Sequence, residues 1–175
     1  TAVDAQKKGI LPVFIITEQK WDFPHAKLMG FDCEQVVDEE TGAIDWDGFF
    51  LFNNNFQYIE QITDYINELL DAQAKGDIPH DMLFLWDSVG SVPCKMTFDG
   101  KGGKQHNASV LSDKIGMGLN QRVSGSRRTD NPYTNTLVIV NQPWVELPDN
   151  PFGQPKIKAK GGEAIWLNST LVFLF

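Results

Sequence analysis

Unbroken apolar runs recur along this chain and alternate with longer segments of helical spacing. The runs occupy 11–16, 49–52, 82–86, 136–140 and 170–175. None shows the strict apolar–polar alternation of a strand with one solvated face. We therefore predict five strands, each buried on both faces of a sheet.

The segments between these runs predict helices. Apolar residues follow helical spacing over 56–76, and again over 109–123. A shorter helix is expected to start at Asp22, with Pro24 in its first turn, and to stop at Gly30. Strands that alternate with helices predict an α/β fold, with a mostly parallel sheet flanked by helices, in one domain.

Polar residues follow three of the predicted strands directly. They are Glu18, Asp87 with Ser88, and Gln142. Ligands bind at the carboxyl ends of parallel strands, so we expect these side chains to share a site. An aspartate there can hold Mg²⁺ that bridges phosphates, a glutamate can orient water, and an amide can contact the terminal phosphate. Each alone also has an ordinary explanation, as a cap, turn or surface residue.

Two stretches without periodicity, 93–107 and 143–162, follow strand ends and are expected to be loops. The basic, glycine and aromatic residues that make them candidate DNA contacts are Lys101, Lys104, Trp144, Phe152, Lys156, Lys158, Lys160, Gly161 and Gly162. Cations suit a nucleic-acid backbone and aromatic rings suit its bases. Without further context, a proline-rich surface loop with chance lysines is the preferred explanation of the second stretch.

The net charge of −8 conceals two unlike halves. Residues 1–93 carry 5 basic and 17 acidic residues, or −12, whereas residues 94–175 carry 10 and 6, or +4. Any DNA contact is therefore expected in the second half. The chain has no apolar run long enough to span a membrane and no cysteine or histidine spacing typical of structural zinc. A cytoplasmic protein is expected.

Four segments in order resemble the RecA-type recombinases. The first is VFIITE at 13–18 followed by WDFPHAKLMGFD at 21–32, which resembles the family's strand that ends in a catalytic glutamate. The second is LFLWDSV at 83–89, which is similar to the family's Walker B strand, and the third is VIVNQ at 138–142, which is similar to its glutamine strand. The fourth is KGGEAIW at 160–166, which is similar to the segment that closes the family's second DNA-binding loop. The resemblance covers most of the chain and implies a partial RecA-like ATPase core over 1–175.

The resemblance implies roles for the strand-end residues. Glu18 is the candidate catalytic base, Asp87 with Ser88 beside it binds Mg²⁺ through water, and Gln142 senses the γ-phosphate of ATP. Asp22 and His25 stand where the family contacts adenine, although His25 replaces the usual tyrosine. The family uses loops equivalent to 93–107 and 143–162 to hold single-stranded DNA in a homo-oligomeric filament.

The chain also departs from the family. Segments 37–46 and 124–135 are not typical of the bacterial protein and suggest a phage-encoded relative, so a bacterial or phage-infected cytoplasm is implied. The phosphate-binding P-loop, GxxxxGK[ST], is absent, since 98–105 has Phe98 where the pattern needs glycine and Gln105 where it needs serine or threonine. We expect the P-loop upstream or on a separate chain, and little ATP hydrolysis by these residues alone.

Three functions remain open at this point. The first is the ATPase core of a DNA recombinase. The second is a non-catalytic RecA-fold module that binds DNA or a partner. The third is a RecA-fold helicase, against which counts the lack of any arginine after Arg128.

Overall fold

The structure is a computed structural model, and it describes residues 1–18, 20–103, 105–124, 132–146, 154–159, 163–169 and 171–173. The helices in chain order are α1 (Ala2–Lys7), α2 (Phe23–Leu28), α3 (Ile59–Lys75), α4 (Lys95–Phe98), α5 (Gln105–Leu111), a π-helical segment (Ser112–Leu119), α6 (Asn120–Ser124) and α7 (Glu163–Asn168). The strands are β1 (Leu11–Ile16), β2 (Glu34–Val37), β3 (Ile44–Asp47), β4 (Leu51–Asn53), β5 (Met82–Asp87), β6 (Thr136–Val140), β7 (Pro143–Glu146) and β8 (Lys156–Ala159).

Four strands form one parallel sheet in the order β4-β1-β5-β6. Helices lie between them in the chain and pack on the sheet, so the predicted α/β fold with a parallel sheet is confirmed. The local signals for the helices also hold. The Asp22 carboxylate caps α2 by accepting from the His25 N–H, and Gly76 ends α3 with a φ of 88°, which glycine adopts without steric cost.

The two faces of the sheet carry different cores. On one face, alternate residues of β1 and β5 pack under α3 and the helical segments after α4, burying Val13, Ile15, Phe84 and Trp86. On the other face, Phe14 and Ile16 pack in an aromatic cluster that includes Trp21, Phe23, Phe31, Phe50 and Phe52. β1 is consequently buried along its whole length.

β6 departs from the prediction of burial on both faces. Leu137 and Ile139 pack against the helical face, but Val138 and Val140 are 37% and 48% exposed. The aromatic cluster covers β1 and β4 and reaches β5 only through Leu85. Among the described strands β6 pairs with β5 alone, and it lies beyond the aromatic cover, so Val138 and Val140 are partly open to solvent.

Other element boundaries differ from the predictions. The strand expected over 49–52 is Leu51–Asn53, and the helix expected over 109–123 starts at Gln105 and contains π-helical turns. The strand expected over 170–175 is wrong for its described part. Residues 171–173 have no regular structure and are exposed, because none of the described strands pairs with them.

The stretches expected to be irregular contain short elements. α4 lies within 93–107, and β7 pairs antiparallel with β8 within 143–162. β2 and β3 form a further antiparallel hairpin around the atypical segment 37–46. Elements of four residues are too short to produce a clear period, so pattern reading did not detect them.

Candidate active site at the carboxyl ends of β1, β5 and β6

The three strands with polar ends are neighbours in the sheet. Ile16 of β1 is in register with Asp87 of β5, and Asp87 is in register with Val140 of β6. Glu18 and Gln142 each follow their strand by two residues. Adjacent strands are about 4.8 Å apart. The parallel sheet therefore brings the backbone at Glu18, Asp87 and Gln142 to one edge, as the sequence predicted.

A direct hydrogen bond joins the ends of β1 and β5. The Ser88 hydroxyl donates to Glu18 Oε1 at 2.5 Å, and Lys20 Nζ lies 3.2 Å from Glu18 Oε2. Ser88 is buried, and the Glu18 side chain is 22% exposed. These two contacts hold the Glu18 carboxylate in place at the end of β1.

Thr17 fixes the backbone that carries these groups. Its N–H donates to the Asp87 carbonyl at 2.8 Å, and its hydroxyl accepts from the Ser88 N–H at 3.0 Å. The same hydroxyl lies 2.9 Å from the Ser88 carbonyl and contacts the Ser91 hydroxyl. The Asp87–Ser88 peptide bond is cis. Thr17 and Ser91 are not among the site residues that the sequence predicts. The only available signal was a hydroxyl residue next to Glu18.

The Asp87 carboxylate reaches solvent at the end of β5. Partial burial raises the pKa of this carboxyl above its ordinary value, and the negative charge of Glu18 raises it further, while Lys20 lowers it. A second cation near both carboxylates would relieve their mutual repulsion. The electrostatics at this edge therefore favour a positive ligand.

The donor set suits Mg²⁺ only when other ligands complete its shell. Among the described residues, no three histidine, cysteine, aspartate or glutamate side chains cluster closely enough to hold a metal by themselves. Mg²⁺ commonly binds one or two carboxylates, several waters and the phosphates of a nucleotide. Asp87, with Glu18 near it, fits that requirement.

The remaining candidate nucleotide contacts are Gln142, Asp22 and His25. Gln142 is exposed at the end of β6. Asp22 uses Oδ1 to accept from the His25 N–H at 3.0 Å, so its carboxylate has a local function as the cap of α2. His25 is exposed on the first turn of that helix. Contact of Asp22 and His25 with adenine stays a prediction.

The first candidate DNA stretch presents an aromatic and basic surface around α4. Lys95 Nζ lies 4.8 Å from the centroid of the Tyr58 ring, and the Phe98 ring centre is 5.7 Å from that of Tyr58. Phe98 is 51% exposed, and Lys101 is exposed after it. Tyr58, Lys95 and Phe98 were not predicted as site residues. Lys104 lies outside the described residues.

The second stretch continues directly from the candidate site. β7 begins at Pro143, next to Gln142, and its backbone pairs Trp144 with Lys158 and Glu146 with Lys156. The basic strand β8 is thereby attached to the carboxyl end of β6. The candidates Phe152, Lys160, Gly161 and Gly162 lie outside the described residues.

The segment 98–105 is not part of a strand–loop–helix unit. It runs from the last residue of α4 through a turn to the first residue of α5. A phosphate-binding loop connects a strand to a helix, so rejection of this segment as a P-loop agrees with its structure.

Comparisons with known proteins identify no family. A scan against protein-family models gave no match to this chain, and a search of curated proteins found none either. Within the described part of the chain, no helix combines the length and apolar character needed to cross a membrane.

Proposed function

We propose that this chain is part of the ATPase core of a RecA-like DNA recombinase, which binds ATP and single-stranded DNA and promotes strand exchange with ATP hydrolysis. The observation that carries the proposal is the row formed by Glu18, Asp87 with Ser88, and Gln142 at the ends of three adjacent parallel strands. The order of the four resembling segments along the chain supports it. The proposal includes a P-loop supplied from outside these residues.

Phosphoryl transfer requires positioning and charge stabilisation more than covalent chemistry by the protein. Asp87, which is more exposed than Glu18, would hold Mg²⁺ through a water, and the ion would neutralise phosphate charge when bound. Glu18 orients the attacking water, since Ser88 and Lys20 fix its carboxylate in place. These roles require no movement of the sheet.

Gln142 gives the proposed site a connection to DNA. Its amide both donates and accepts hydrogen bonds, so it can contact a phosphate oxygen. The chain passes from Gln142 straight into β7, which pairs with the lysine-containing β8. A displacement of Gln142 by the terminal phosphate would therefore be transmitted to the hairpin. The filament partner of this function is a second copy of the protein.

A non-catalytic RecA-fold module that binds DNA or a partner is the second candidate. The observation that favours it is the absence of GxxxxGK[ST] from the 175 residues. An intact Glu18–Ser88 pair favours catalysis, because a module without hydrolysis has no need of an oriented carboxylate. A RecA-fold helicase shares the strand-end row and is separated from a recombinase by an assay for strand exchange.

The substitution Glu18→Gln in the complete protein, including its P-loop, tests the proposal. We expect DNA-stimulated ATP hydrolysis to fall at least about a hundredfold, because the amide cannot take a proton from water, with nucleotide affinity nearly unchanged. Glu68→Gln on the exposed surface of α3 is the matched control and should keep full turnover. Hydrolysis by Glu18→Gln equal to that of the control would refute the assigned role.

A further inference from the structure

The surface around α2 and the β2–β3 hairpin lies outside the proposed catalytic site. Phe23 of α2 stacks on Trp46 of β3, with ring centres 5.2 Å apart and planes 10° from parallel. Lys27 Nζ also pairs with Glu34 Oε2 at 2.9 Å. The stack and the ion pair hold the hairpin against the helix, so the two elements present one surface.

A shallow groove of about 490 Å³ runs between these elements, lined by Pro24, Lys27, Leu28, Gln35 and Trp46. The apolar surface extends beyond the groove along the hairpin. Gln35 lies opposite Trp46, and Val37 lies opposite Ile44, so these four side chains share one face.

The apolar residues of this surface are unusually open to solvent. Leu28 is 86% exposed, Ile44 63% and Val37 53%. A two-stranded hairpin gains little stability on its own, and contiguous exposed apolar side chains commonly mark an interaction surface.

The charge of the hairpin and its flanking residues is of one sign. Residues 32–47 contain no lysine or arginine, and their acidic residues are Asp32, Glu34, Asp38, Glu39, Glu40, Asp45 and Asp47. Lys27, which approaches from α2, is already paired with Glu34. Asp45 and Asp47 alternate with Ile44 and Trp46 and so lie on the other face of the hairpin, whereas Asp38, Glu39 and Glu40 lie at its turn. An occupant of the groove would therefore meet apolar side chains in the centre and negative charge at a rim formed by this turn.

We propose that this groove binds a short basic segment of another protein, whose apolar residues contact Leu28, Val37 and Ile44 and whose lysine or arginine residues face the acidic rim. Charge complementarity selects this occupant. The chain's own apolar segment 170–175 carries no basic residue and would leave the rim unused. The acidic rim equally disfavours nucleic acid. The inference does not depend on the proposed ATPase function.

Binding of a fluorescein-labelled synthetic peptide of alternating leucine and lysine tests the proposal by fluorescence anisotropy. We expect saturable binding to the 175-residue chain that weakens with added salt. Ile44→Ser and, on the other wall of the groove, Leu28→Ser should each weaken it about tenfold. Leu167→Ser is the matched control, because Leu167 is 77% exposed on α7, and it should leave binding unchanged. Two variants are used because Ile44→Ser could unfold the hairpin, whereas Leu28 lies on α2. Circular dichroism checks that each variant is folded.

The charge requirement has its own control. Glu39→Gln with Glu40→Gln should weaken peptide binding severalfold, whereas Asp64→Asn with Glu68→Gln on α3 should not. Absent or non-saturable binding, or equal losses in groove and control variants, would overturn the proposal. Equal binding of a peptide with serine in place of leucine would also overturn it, since charge alone would then suffice. Self-association of the chain that Ile44→Ser abolishes would show that a second copy occupies the groove instead.

Discussion

β1 and β6 flank the same strand, β5, and both are apolar, yet their environments differ. β1 has a paired strand on each side and a core on each face. β6 pairs with β5 alone among the described strands, and its residues alternate between partly buried and exposed. The difference lies in the cover, because the aromatic cluster extends over β1 and ends before β6.

This contrast shows that an apolar run identifies a strand without identifying its position in the sheet. The ends of the two strands also differ in how they are held. The end of β1 is held rigidly through Thr17 and Glu18, which contact Asp87 and Ser88 on β5. The end of β6 continues through exposed Gln142 into a hairpin. We expect the first to act in positioning and the second in signalling.

Equivalent substitutions on the two strands should give the largest difference. Val13→Ala on β1 removes methyl groups from a fully buried site and should lower the free energy of unfolding by about 2–3 kcal/mol. Val138→Ala, at a partly exposed position on β6, should lower the free energy of unfolding by less than about 1 kcal/mol. Urea unfolding of both variants measures this, and equal losses would contradict the partial exposure of Val138.

The start of β6 is anchored more strongly than its middle. Asn135 Oδ1 accepts from the Met82 N–H at 2.9 Å, and its amide exchanges hydrogen bonds with buried Gln73. Asn135→Ala should lower the free energy of unfolding by about 2 kcal/mol, because buried partners lose hydrogen bonds. Asn54→Ala, at an exposed position, should be close to neutral in the same unfolding assay. Similar values for both would show that the buried network contributes little.

The smallest expected effect concerns charge at the end of β5. The raised pKa of Asp87 means that its ionised form is disfavoured in the fold. That cost is present above the folded pKa and disappears below the unfolded pKa, near 3.9. In metal-free buffer, Asp87→Asn should therefore slightly raise the free energy of unfolding at neutral pH and leave it unchanged near pH 3. The gain should be small because solvent screens this carboxylate.

Urea unfolding at the two pH values measures this difference, with Asp99→Asn, at an exposed position after α4, as the control. A stabilisation by Asp87→Asn that is the same at both pH values would contradict the electrostatic explanation.

The sequence predicted the four strands of the parallel sheet and the polar ends of three of them, because long apolar runs and strand-end residues are local signals. It did not predict the partial exposure of β6, which depends on strand order and on the reach of a distant aromatic cluster. The hairpin around 37–46 was noticed only as atypical sequence. In β8, lysines alternate with Ile157 and Ala159, and this alternation of polar and apolar residues is a local signal for a short strand.

The candidate site was predicted in outline but not in its bonding. Glu18, Asp87 and Gln142 were selected because each follows an apolar run. The hydrogen bond from Ser88 to Glu18 and the clamp by Thr17 depend on the register between β1 and β5, which no local pattern specifies. The aromatic contact of Tyr58 with Phe98 likewise joins residues that are distant in sequence.

In the proposed function, Mg²⁺ and ATP bind at the shared edge of β1, β5 and β6. Mn²⁺ can replace Mg²⁺ and broadens the NMR signals of nearby nuclei, so the complete protein with Mn²⁺ and ATP provides the most direct measurement. We expect the strongest broadening at the amides of Glu18, Asp87 and Ser88, a weaker effect at Gln142, and loss of the broadening in Asp87→Asn. Broadening centred elsewhere, or unchanged by Asp87→Asn, would contradict it.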